Sequence, residues 1–434
     1  MTGVAVLRAR ALDLYRAALA GADPGPPLLA VLAELEASEA PLWIVAIGKA
    51  ARRMAGAATA AAARSKRRVA GGIVVGAEAT GPAPGLLSLT GDHPIPGGRS
   101  FEASRALTGI TEAVAPGDDV WVLLSGGASS LVGAPAQGLT REDVEAAWRM
   151  LYAAGLPIGE LNLVRKRLSC WGAGRLATAL EQATVRTFAL SDVPGDDPSA
   201  IGSGPCDPDP SKASDVRRLL ALHRLFTALP PGVRDALQAE ERGERPETPK
   251  PDRPVFRTSR ARIIAGNAGA LEGAASLARG MGLPVRTSDR PLAGEAGACG
   301  VRLAEELLTG ASPGPLCRLW GGEPVVRLGD GGSQGLGGRA QELALAAAGL
   351  LERRPSSGLV VLLAGSTDGR DGPTEAAGAI VDAETWGRIR ARGIDPLAAL
   401  ARHDAYPALD AAGDLIRTGP TGTNVMDVVI GLVE

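Results

Sequence analysis

The sequence is poor in aromatic residues, histidine and cysteine, and each shortage excludes a class of function. Aromatic residues make up only 3% of the 434 residues, which argues against a surface that stacks nucleic-acid bases. The four cysteines form no CxxC pair, and only three histidines are available to join them, so a structural zinc site is not expected. We expect reduced thiols in a cytoplasmic protein.

The sequence also lacks an excess of charge and any long apolar run. Its formal net charge is -2, so the overall charge favours neither nucleic acid nor an anionic membrane. No apolar stretch reaches about 18 residues, and charges interrupt the amphipathic N-terminus, unlike in a signal peptide. We therefore expect small-molecule partners, with no nucleic-acid or membrane partner.

Short apolar runs alternate with helical patterns along the chain, and the runs end in Gly, Ser and Asp. Continuous apolar strands are typical of parallel sheets covered on both faces, where ligands bind at the carboxyl ends of the strands. Residues 240–256 are rich in proline and charge and are the best linker candidate. The sequence predicts two three-layer α/β domains with mostly parallel sheets, a Rossmann-like domain at 1–240 and a second domain at 257–434, with the active site in the cleft between them.

The most informative stretch is Trp320 to Glu342, where a glycine-rich loop separates a short strand from a helix-forming run. Glycine permits positive φ and close approach to a ligand, and amides at a helix start point at anions. Arg339 adds a fixed cation at that helix start, suited to a phosphate or a carboxylate. We predict an anion-binding loop with a catalytic arginine, to which Glu323, Gly337 and Gly338 contribute. The alternative is a mobile surface loop.

Two earlier strands end in segments that suit a phosphate. Lys49 follows the apolar run WIVAIG at a helix start, where a lysine can balance the charge of a transferred phosphoryl group. The segment SGGASS has the small residues of a phosphate nest, although a tight turn would use the same residues. The sequence contains no P-loop and no GxSxG at this point. The candidate phosphate-binding residues of the segment are Ser125, Gly126, Gly127 and Ser129.

Carboxylates and further basic residues complete the predicted site. Asp192 and Asp368 follow strands, and carboxylates there suit Mg²⁺, which takes one or two of them together with substrate phosphates. Asp192 is also a candidate base toward a substrate hydroxyl, and Asx-turn chemistry is the alternative for both residues. His93, Arg165 and Lys166 are candidate substrate contacts, with a structural role as the alternative.

Taken together and in order, these segments resemble class II glycerate kinases, which phosphorylate D-glycerate at the 2-hydroxyl. The C-terminal part resembles the MOFRL domain of those proteins. The resemblance implies an ATP-dependent, Mg²⁺-assisted transfer that gives 2-phosphoglycerate, with Lys49 and Arg339 as the principal catalytic cations facing each other across the cleft. The matching segments run from about residue 41 to 430 and include VAIGKAA, GDHPIP, LLSGGASSL, LSDVPGDDPSAIGSGP, WGGEP, GGRAQELALA and AGSTDGRDGPTEAAGA.

The sequence departs from the family pattern at four positions, which puts the identity of the substrate in doubt. Arg167 stands where the family has histidine, and Gly172 stands where it has lysine. Ala340 and Met426 both stand where the family has asparagine. The residues with the main implied roles are retained, namely Lys49, Asp192, Arg339 and Asp368.

Two other hypotheses remain open. Some members of the family carry an older name as hydroxypyruvate reductases, and GLGGRA fits a dinucleotide fingerprint loosely. The acidic residue expected about 20 residues further on has no clear counterpart, which argues against an NAD(P)H-dependent reductase. The second alternative is a non-catalytic small-molecule binder descended from the kinase, for which Gly172 and Ala340 are the main support.

Overall fold

The computed structural model describes residues 3–78, 83–156, 158–309, 314–327, 335–354 and 358–434. Residues 328–334 of the predicted anion-binding loop therefore lie outside the described residues. The helices, in chain order, are α1 Gly3–Gly21, α2 Gly25–Ala33, α3 Ala51–Arg64, α4 Gly98–Ala113, α5 Ala128–Leu131, α6 Arg141–Ala153, α7 Ile158–Leu168, α8 Arg175–Ala179, α9 Ala213–Leu222, α10 Pro231–Glu241, α11 Asn267–Gly280, α12 Ala296–Thr309, α13 Arg339–Arg353, α14 Thr385–Arg390, α15 Pro396–Ala401 and α16 Ala405–Ala412. The strands are β1 Leu42–Ile47, β2 Val69–Gly76, β3 Leu87–Thr90, β4 Asp119–Leu124, β5 Thr184–Leu190, β6 Ala261–Ala265, β7 Val285–Thr287, β8 Leu316–Gly322, β9 Val360–Ser366, β10 Gly378–Asp382, β11 Leu415–Ile416 and β12 Asp427–Val433.

The chain forms two compact units. One unit is Pro24–Ile264, here called the Lys49 unit. The other combines Met1–Asp23 with Ala265–Glu434 and is called the Arg339 unit. In the described parts of both units, no helix is long and apolar enough to cross a membrane.

The Lys49 unit is built on a six-stranded sheet with the strand order β3-β2-β1-β4-β5-β6. Strand β1 pairs in parallel with β2 and β4, and β2–β3 and β4–β5 are also parallel pairs. All six residues of β4 are buried, as expected for a central strand covered on both faces. The predicted parallel α/β architecture is confirmed in this unit, and the sheet aligns the carboxyl ends of β1, β4 and β5 along one edge.

The Arg339 unit contains a second six-stranded sheet, with the order β11-β10-β9-β12-β8-β7. Strand β12 is antiparallel to both β8 and β9, and β10 is antiparallel to β9 and β11. Strands β7, β8, β9 and β11 therefore run in one direction, while β10 and β12 run in the other. The α/β class is confirmed here too, but the sheet is mixed, and the expected parallel pairing holds only for β7 and β8.

Helix α1 belongs to the Arg339 unit, although the sequence pattern assigned it to the first domain. Tyr15 on this helix is buried, and its hydroxyl donates to the carbonyl of Ser366 at 2.6 Å. Gly21 lies so close to α11 that a Cβ on it would fall 2.3 Å from the carbonyl oxygen of Gly269. Contacts between residues so distant in sequence leave no local pattern, which explains why the predicted boundary differs from the observed one.

Residues 240–256 are packed into the Lys49 unit instead of forming a linker. Glu240 and Thr248 are buried, and the hydroxyl of Thr248 donates to Asp209 at 2.9 Å. The charges that suggested an exposed segment are paired internally, since Arg167 contacts both Glu240 and Glu247. The linker prediction is wrong because charge composition does not reveal whether the partners of those charges lie in the fold or in water.

Candidate active site

Lys49 lies where β1 passes into α3, and the loop after β4 holds it there. The backbone N–H of Lys49 donates to the carbonyl of Gly126 at 2.9 Å. The N–H of Ala50 donates to Oγ of Ser125 at 3.0 Å, and the N–H of Ser125 donates to the carbonyl of Ile47 at 3.1 Å. Since β1 and β4 are parallel neighbours, their carboxyl ends bring together two segments that the sequence analysis selected separately.

Gly127 forms the base of a small cradle beside Lys49. Its φ of +85° lies in the left-handed region, and α5 follows at once, an arrangement in which successive amides converge as in an anion-binding nest. A Cβ at Gly127 would lie 3.1 Å from Cδ2 of His93, 3.3 Å from its Nε2 and 3.6 Å from Cγ of Lys49. The imidazole and the lysine side chain therefore border the space that the missing side chain leaves, and we call Lys49, His93 and Gly126–Ser129 the cradle.

The serine side chains of this loop stabilise its shape. Ser125 is fully buried and accepts from Ala50, and the hydroxyls of Ser129 and Ser203 lie 2.7 Å apart. Gly48, with φ of +132°, is required here because a Cβ on it would fall 2.1 Å from Oγ of Ser125. The predicted phosphate contact of the Ser125 hydroxyl is therefore not favoured, and the loop amides remain the candidates for that role.

Arg165 and Lys166 both have partners inside the Lys49 unit. The guanidinium carbon of Arg165 lies 4.3 Å from the ring centroid of Trp148 and 4.8 Å from that of Tyr152, and burial lowers its pKa. Nζ of Lys166 is 3.4 Å from Oγ of Ser199 and 3.8 Å from a carboxylate oxygen of Asp209. These contacts favour the structural alternative for both residues.

Arg339, at the first position of α13, is clamped by two carboxylates. Its Nε and Nη2 donate to the two oxygens of Asp427 at 2.6 and 3.0 Å, and its Nη1 lies 2.9 Å from Oε1 of Glu323. Burial by itself would lower the pKa of Arg339, but Asp427 and Glu323 outweigh that effect and hold its pKa above the usual value. Because a guanidinium has five N–H groups in a fixed plane, three contacts fix the orientation of Arg339 before any ligand arrives.

Asp371 occupies the helix start that the sequence analysis assigned to an anionic ligand. Its carboxylate accepts from the N–H groups of Ala340 at 3.1 Å and Gln341 at 2.8 Å. Gly338 is needed for this approach, since a Cβ on it would fall 2.3 Å from Cγ of Asp371. The predicted anion at these two amides is therefore a carboxylate of the protein. Burial and the charge of Asp427 raise the pKa of Asp371 to about 7.

The predicted metal residues Asp192 and Asp368 lie in different units. Asp192 is the second residue after β5, at the same sheet edge as the cradle loop. Oδ1 of Asp368 accepts from the hydroxyl of Ser366 at 2.9 Å and from the N–H of Arg370 at 3.0 Å, which is the Asx-turn alternative. Among the side chains that the structure describes, no group of three or more His, Cys, Asp or Glu could hold a metal ion. The shared Mg²⁺ site stays a prediction.

Two of the four family departures have a structural explanation. Arg167 is buried, with Nη1 2.6 Å from a carboxylate oxygen of Glu240 and 2.6 Å from one of Glu247. Met426 adopts φ of +70°, a left-handed conformation that asparagine tolerates better than methionine. The left-handed backbone at position 426 explains why the family has asparagine there. Its replacement by methionine therefore does not by itself imply that a substrate contact is lost.

Sequence reasoning missed Asp427, the main partner of Arg339. Asp427 directly precedes the apolar run VVIGLV. Because a charge at the start of a buried strand requires a partner, this position could have been selected from the sequence. Asp427 is 1% exposed, and its partner lies 88 residues earlier in the chain. The GRDGP setting of Asp371 gives no sign that it accepts from the amides of α13.

Two family models match the chain, one in its N-terminal part and one in its C-terminal part. A domain of unknown function (DUF4147) matches residues 10–238, and the MOFRL family matches residues 316–427. A D-glycerate 2-kinase from Thermotoga maritima is 36% identical over 397 residues, which cover 90% of this chain and 90% of that protein. An Agrobacterium vitis protein provisionally named hydroxypyruvate reductase is 39% identical over 353 residues, 80% of this chain and 88% of its own. A solved structure of a Thermotoga maritima glycerate kinase has a TM-score of 0.81 at 34% identity, covering 99% of this chain and 100% of that one.

Proposed function

We propose that this chain, which belongs to the glycerate kinase family with a C-terminal MOFRL domain, transfers the γ-phosphoryl group of ATP to the 2-hydroxyl of D-glycerate. The observation that carries the proposal is the presence of two preorganised cation sites. One is the Lys49 cradle, and the other is Arg339, which Asp427 and Glu323 hold in a fixed orientation. Phosphoryl transfer depends almost entirely on positioning and on charge stabilisation, which is the chemistry these two sites can supply.

In this reaction the 2-hydroxyl oxygen forms a bond to the γ-phosphorus, the bond from that phosphorus to the bridging oxygen of ATP breaks, and ADP leaves. Lys49 and the amides of the cradle loop bind phosphoryl oxygens, and Arg339 stabilises the negative charge that they carry in the transition state. The proton of the hydroxyl passes to a carboxylate, for which Asp192 is the proposed acceptor. Lys49 and Arg339 act on the same phosphoryl group.

Mg²⁺ enters as part of the nucleotide substrate and neutralises charge on its phosphates. A magnesium ion bound in this way needs only one or two protein carboxylates, so it does not require a cluster of three. Asp192 and Asp368 are the residues proposed to hold it. The expected cytoplasmic location stays a prediction, supported by the free thiols of all four cysteines.

The geometry of α13 disfavours the reductase hypothesis. A dinucleotide fingerprint places a pyrophosphate on the amides at the start of the helix. Two of those amides, on Ala340 and Gln341, already donate to Asp371. A dinucleotide bound there would have to displace a buried carboxylate.

The test is a direct assay of the purified protein with ATP, Mg²⁺ and D-glycerate, with phosphorus NMR of the product. We expect ADP and 2-phosphoglycerate, whose phosphorus couples to a single proton on C2. A product phosphorylated at the 3-hydroxyl, with coupling to two protons, would refute the proposed position. Oxidation of NADH with hydroxypyruvate, without ATP consumption, would overturn the kinase proposal in favour of the reductase. Binding of glycerate and ATP without turnover would favour the non-catalytic binder.

A further inference from the structure

A cavity of about 310 Å³ lies within the Lys49 unit, and no residue of the cradle lines it. Its volume is at the small end of the range for ligand sites, about 300–1,000 Å³. Three arginines face it, one from α8 and two from the segment 240–256, together with one acidic side chain. The polar and charged residues in its wall are Gln137, Cys170, Arg175, Arg245, Glu247 and Arg253.

Glu247, the acidic residue of the wall, is neutralised by groups other than the three arginines. Its Oε2 lies 2.6 Å from Nη1 of Arg167 and 3.3 Å from Nζ of Lys250. Its Oε1 accepts from the backbone N–H of Ala213 at 2.8 Å. Both oxygens are therefore engaged, so Glu247 does little to offset the positive charge of the cavity.

Arg175 is held by backbone carbonyls and not by a carboxylate. Its Nη1 donates to the carbonyls of Lys166 at 2.6 Å, Ser169 at 3.2 Å and Gly172 at 3.3 Å. Among the described residues, no carboxylate oxygen lies within ion-pair distance of its guanidinium. Burial lowers the pKa of Arg175, as expected for a cation that the fold leaves without a full counter-charge.

The other two arginines have long ion pairs, at 3.6 and 4.0 Å. Nε of Arg245 is 3.6 Å from Oε1 of Glu240, a carboxylate that also contacts Arg167 at 2.6 Å. Nη2 of Arg253 is 4.0 Å from Glu181, with both side chains about half exposed. Arg175 and Arg245 are partly buried, where a guanidinium is costly without a close anion, and Arg253 adds an exposed cation at the rim.

We propose that this cavity binds a small phosphate-bearing molecule. A guanidinium can donate two parallel N–H bonds to one phosphate. A tetrahedral phosphate accepts hydrogen bonds from several directions, so three arginines around one cavity can contact it together. The site is separate from the Lys49 cradle and does not depend on the kinase reaction. Bound phosphate supplies a counter-charge to Arg175 and adds to the long ion pairs of Arg245 and Arg253.

The test is calorimetric titration of inorganic phosphate and of glycerol 2-phosphate into the full chain carrying Lys49→Ala, which removes the main cation of the cradle. We expect binding to persist in this background. The further changes Arg245→Gln and Arg253→Gln together should weaken it about 10-fold to 100-fold, because charge-assisted hydrogen bonds are lost. Arg175 is left intact because it fixes three carbonyls. Tighter binding of the ester identifies an organic phosphate as the ligand, and equal binding identifies the ion itself.

Arg242→Gln is the matched control, since Arg242 lies in the same segment but pairs with Glu244 on the surface. This control should leave phosphate binding unchanged. Equal thermal unfolding temperatures for all variants establish that the fold is kept. Phosphate binding that disappears with Lys49→Ala alone, or that survives the two arginine changes, would overturn the proposal. Binding of malonate in preference to both phosphates would overturn the assigned ligand class.

Discussion

The two proposed catalytic cations are held in opposite ways. Arg339 is fixed by carboxylates, with Asp427 and Glu323 within 3.0 Å of its guanidinium. Lys49 is fixed through its backbone, by the carbonyl of Gly126, in a loop whose glycines leave room beside it. The orientation of Arg339 therefore depends on two carboxylates, and the space beside Lys49 depends on glycine at position 127. Different substitutions should disable the two sites.

The largest effects are expected from Lys49→Ala and Arg339→Ala. Each should lower kcat by about 10³-fold, because each removes a positive charge from the transition state. Arg339→Ala should also lower the free energy of unfolding, by about 3 kcal/mol, because it leaves the buried Asp427 without its partner. Steady-state kinetics and denaturant unfolding measure the two effects.

Arg302→Ala is the control for both variants, since Arg302 is half exposed and pairs only weakly with Glu306 at 3.4 Å. It should change neither kcat nor stability by much. An Arg339→Ala protein as stable as the Arg302→Ala protein would contradict the carboxylate-held arginine.

The next largest effect is expected from Asp427→Asn. The amide keeps one acceptor but loses the charge and the two-point contact with Arg339, so the guanidinium is less well oriented. We expect kcat to fall about 10-fold to 100-fold while the affinity for glycerate changes little, since orientation matters most in the transition state. Asp410→Asn, which alters an exposed pair with Arg417, is the control. A raised KM with normal kcat would show that Asp427 acts on substrate binding instead.

A smaller effect is expected from Gly127→Ala, and Gly138→Ala provides a matched control. Both glycines have left-handed φ, +85° and +81°, so both changes should cost about 1 kcal/mol in stability. Only at Gly127 does the new methyl group meet His93, whereas nothing lies within 4 Å at Gly138. Gly127→Ala should therefore raise the KM of a substrate about tenfold by crowding the cradle, and Gly138→Ala should leave KM unchanged. Equal KM values for the two variants would contradict the cradle.

The smallest effect concerns the dependence of stability on pH. The pKa of Asp371 is raised to about 7 in the folded protein, above the value near 4 of an unfolded chain. The folded state therefore binds more protons between those values, and its stability should fall as pH rises from about 4 to 7. Asp371→Asn removes this contribution, so the unfolding temperature of the native protein relative to the variant should decrease over that window and stay constant above about pH 8. A flat difference would contradict the raised pKa.

The contrast between the two sites also explains what the sequence could predict. Lys49 and the Ser125–Ser129 segment were found because each follows an apolar strand, and parallel neighbours align such ends. Glu323 was placed with Arg339, but Asp427 and Asp371 were not. Asp427 lies on an antiparallel strand, and Asp371, which accepts from the amides of α13, lies in a distant loop. Local patterns report burial and turns, but they carry little information on strand direction or on pairs of charges.

The same limit applies to the domain boundaries. The apolar pattern of α1 predicted a helix correctly, yet its partner surface, on α11 and β9, lies far along the chain, beginning at Asn267. The charged stretch 240–256 looked exposed because the pairing of Glu240 and Glu247 with Arg167 cannot be seen in sequence. In both cases the sequence predicts the local structure but does not reveal which distant residues pack against it.

The most direct test of the central claim is a double-mutant cycle between Lys49 and Arg339, with the rate of phosphoryl transfer measured in a single turnover. If both cations stabilise the same phosphoryl group, the loss in the Lys49→Ala/Arg339→Ala protein should be far smaller than the product of the two single losses. Losses that multiply would mean that the two residues act independently, and the account of one shared phosphoryl group would be wrong.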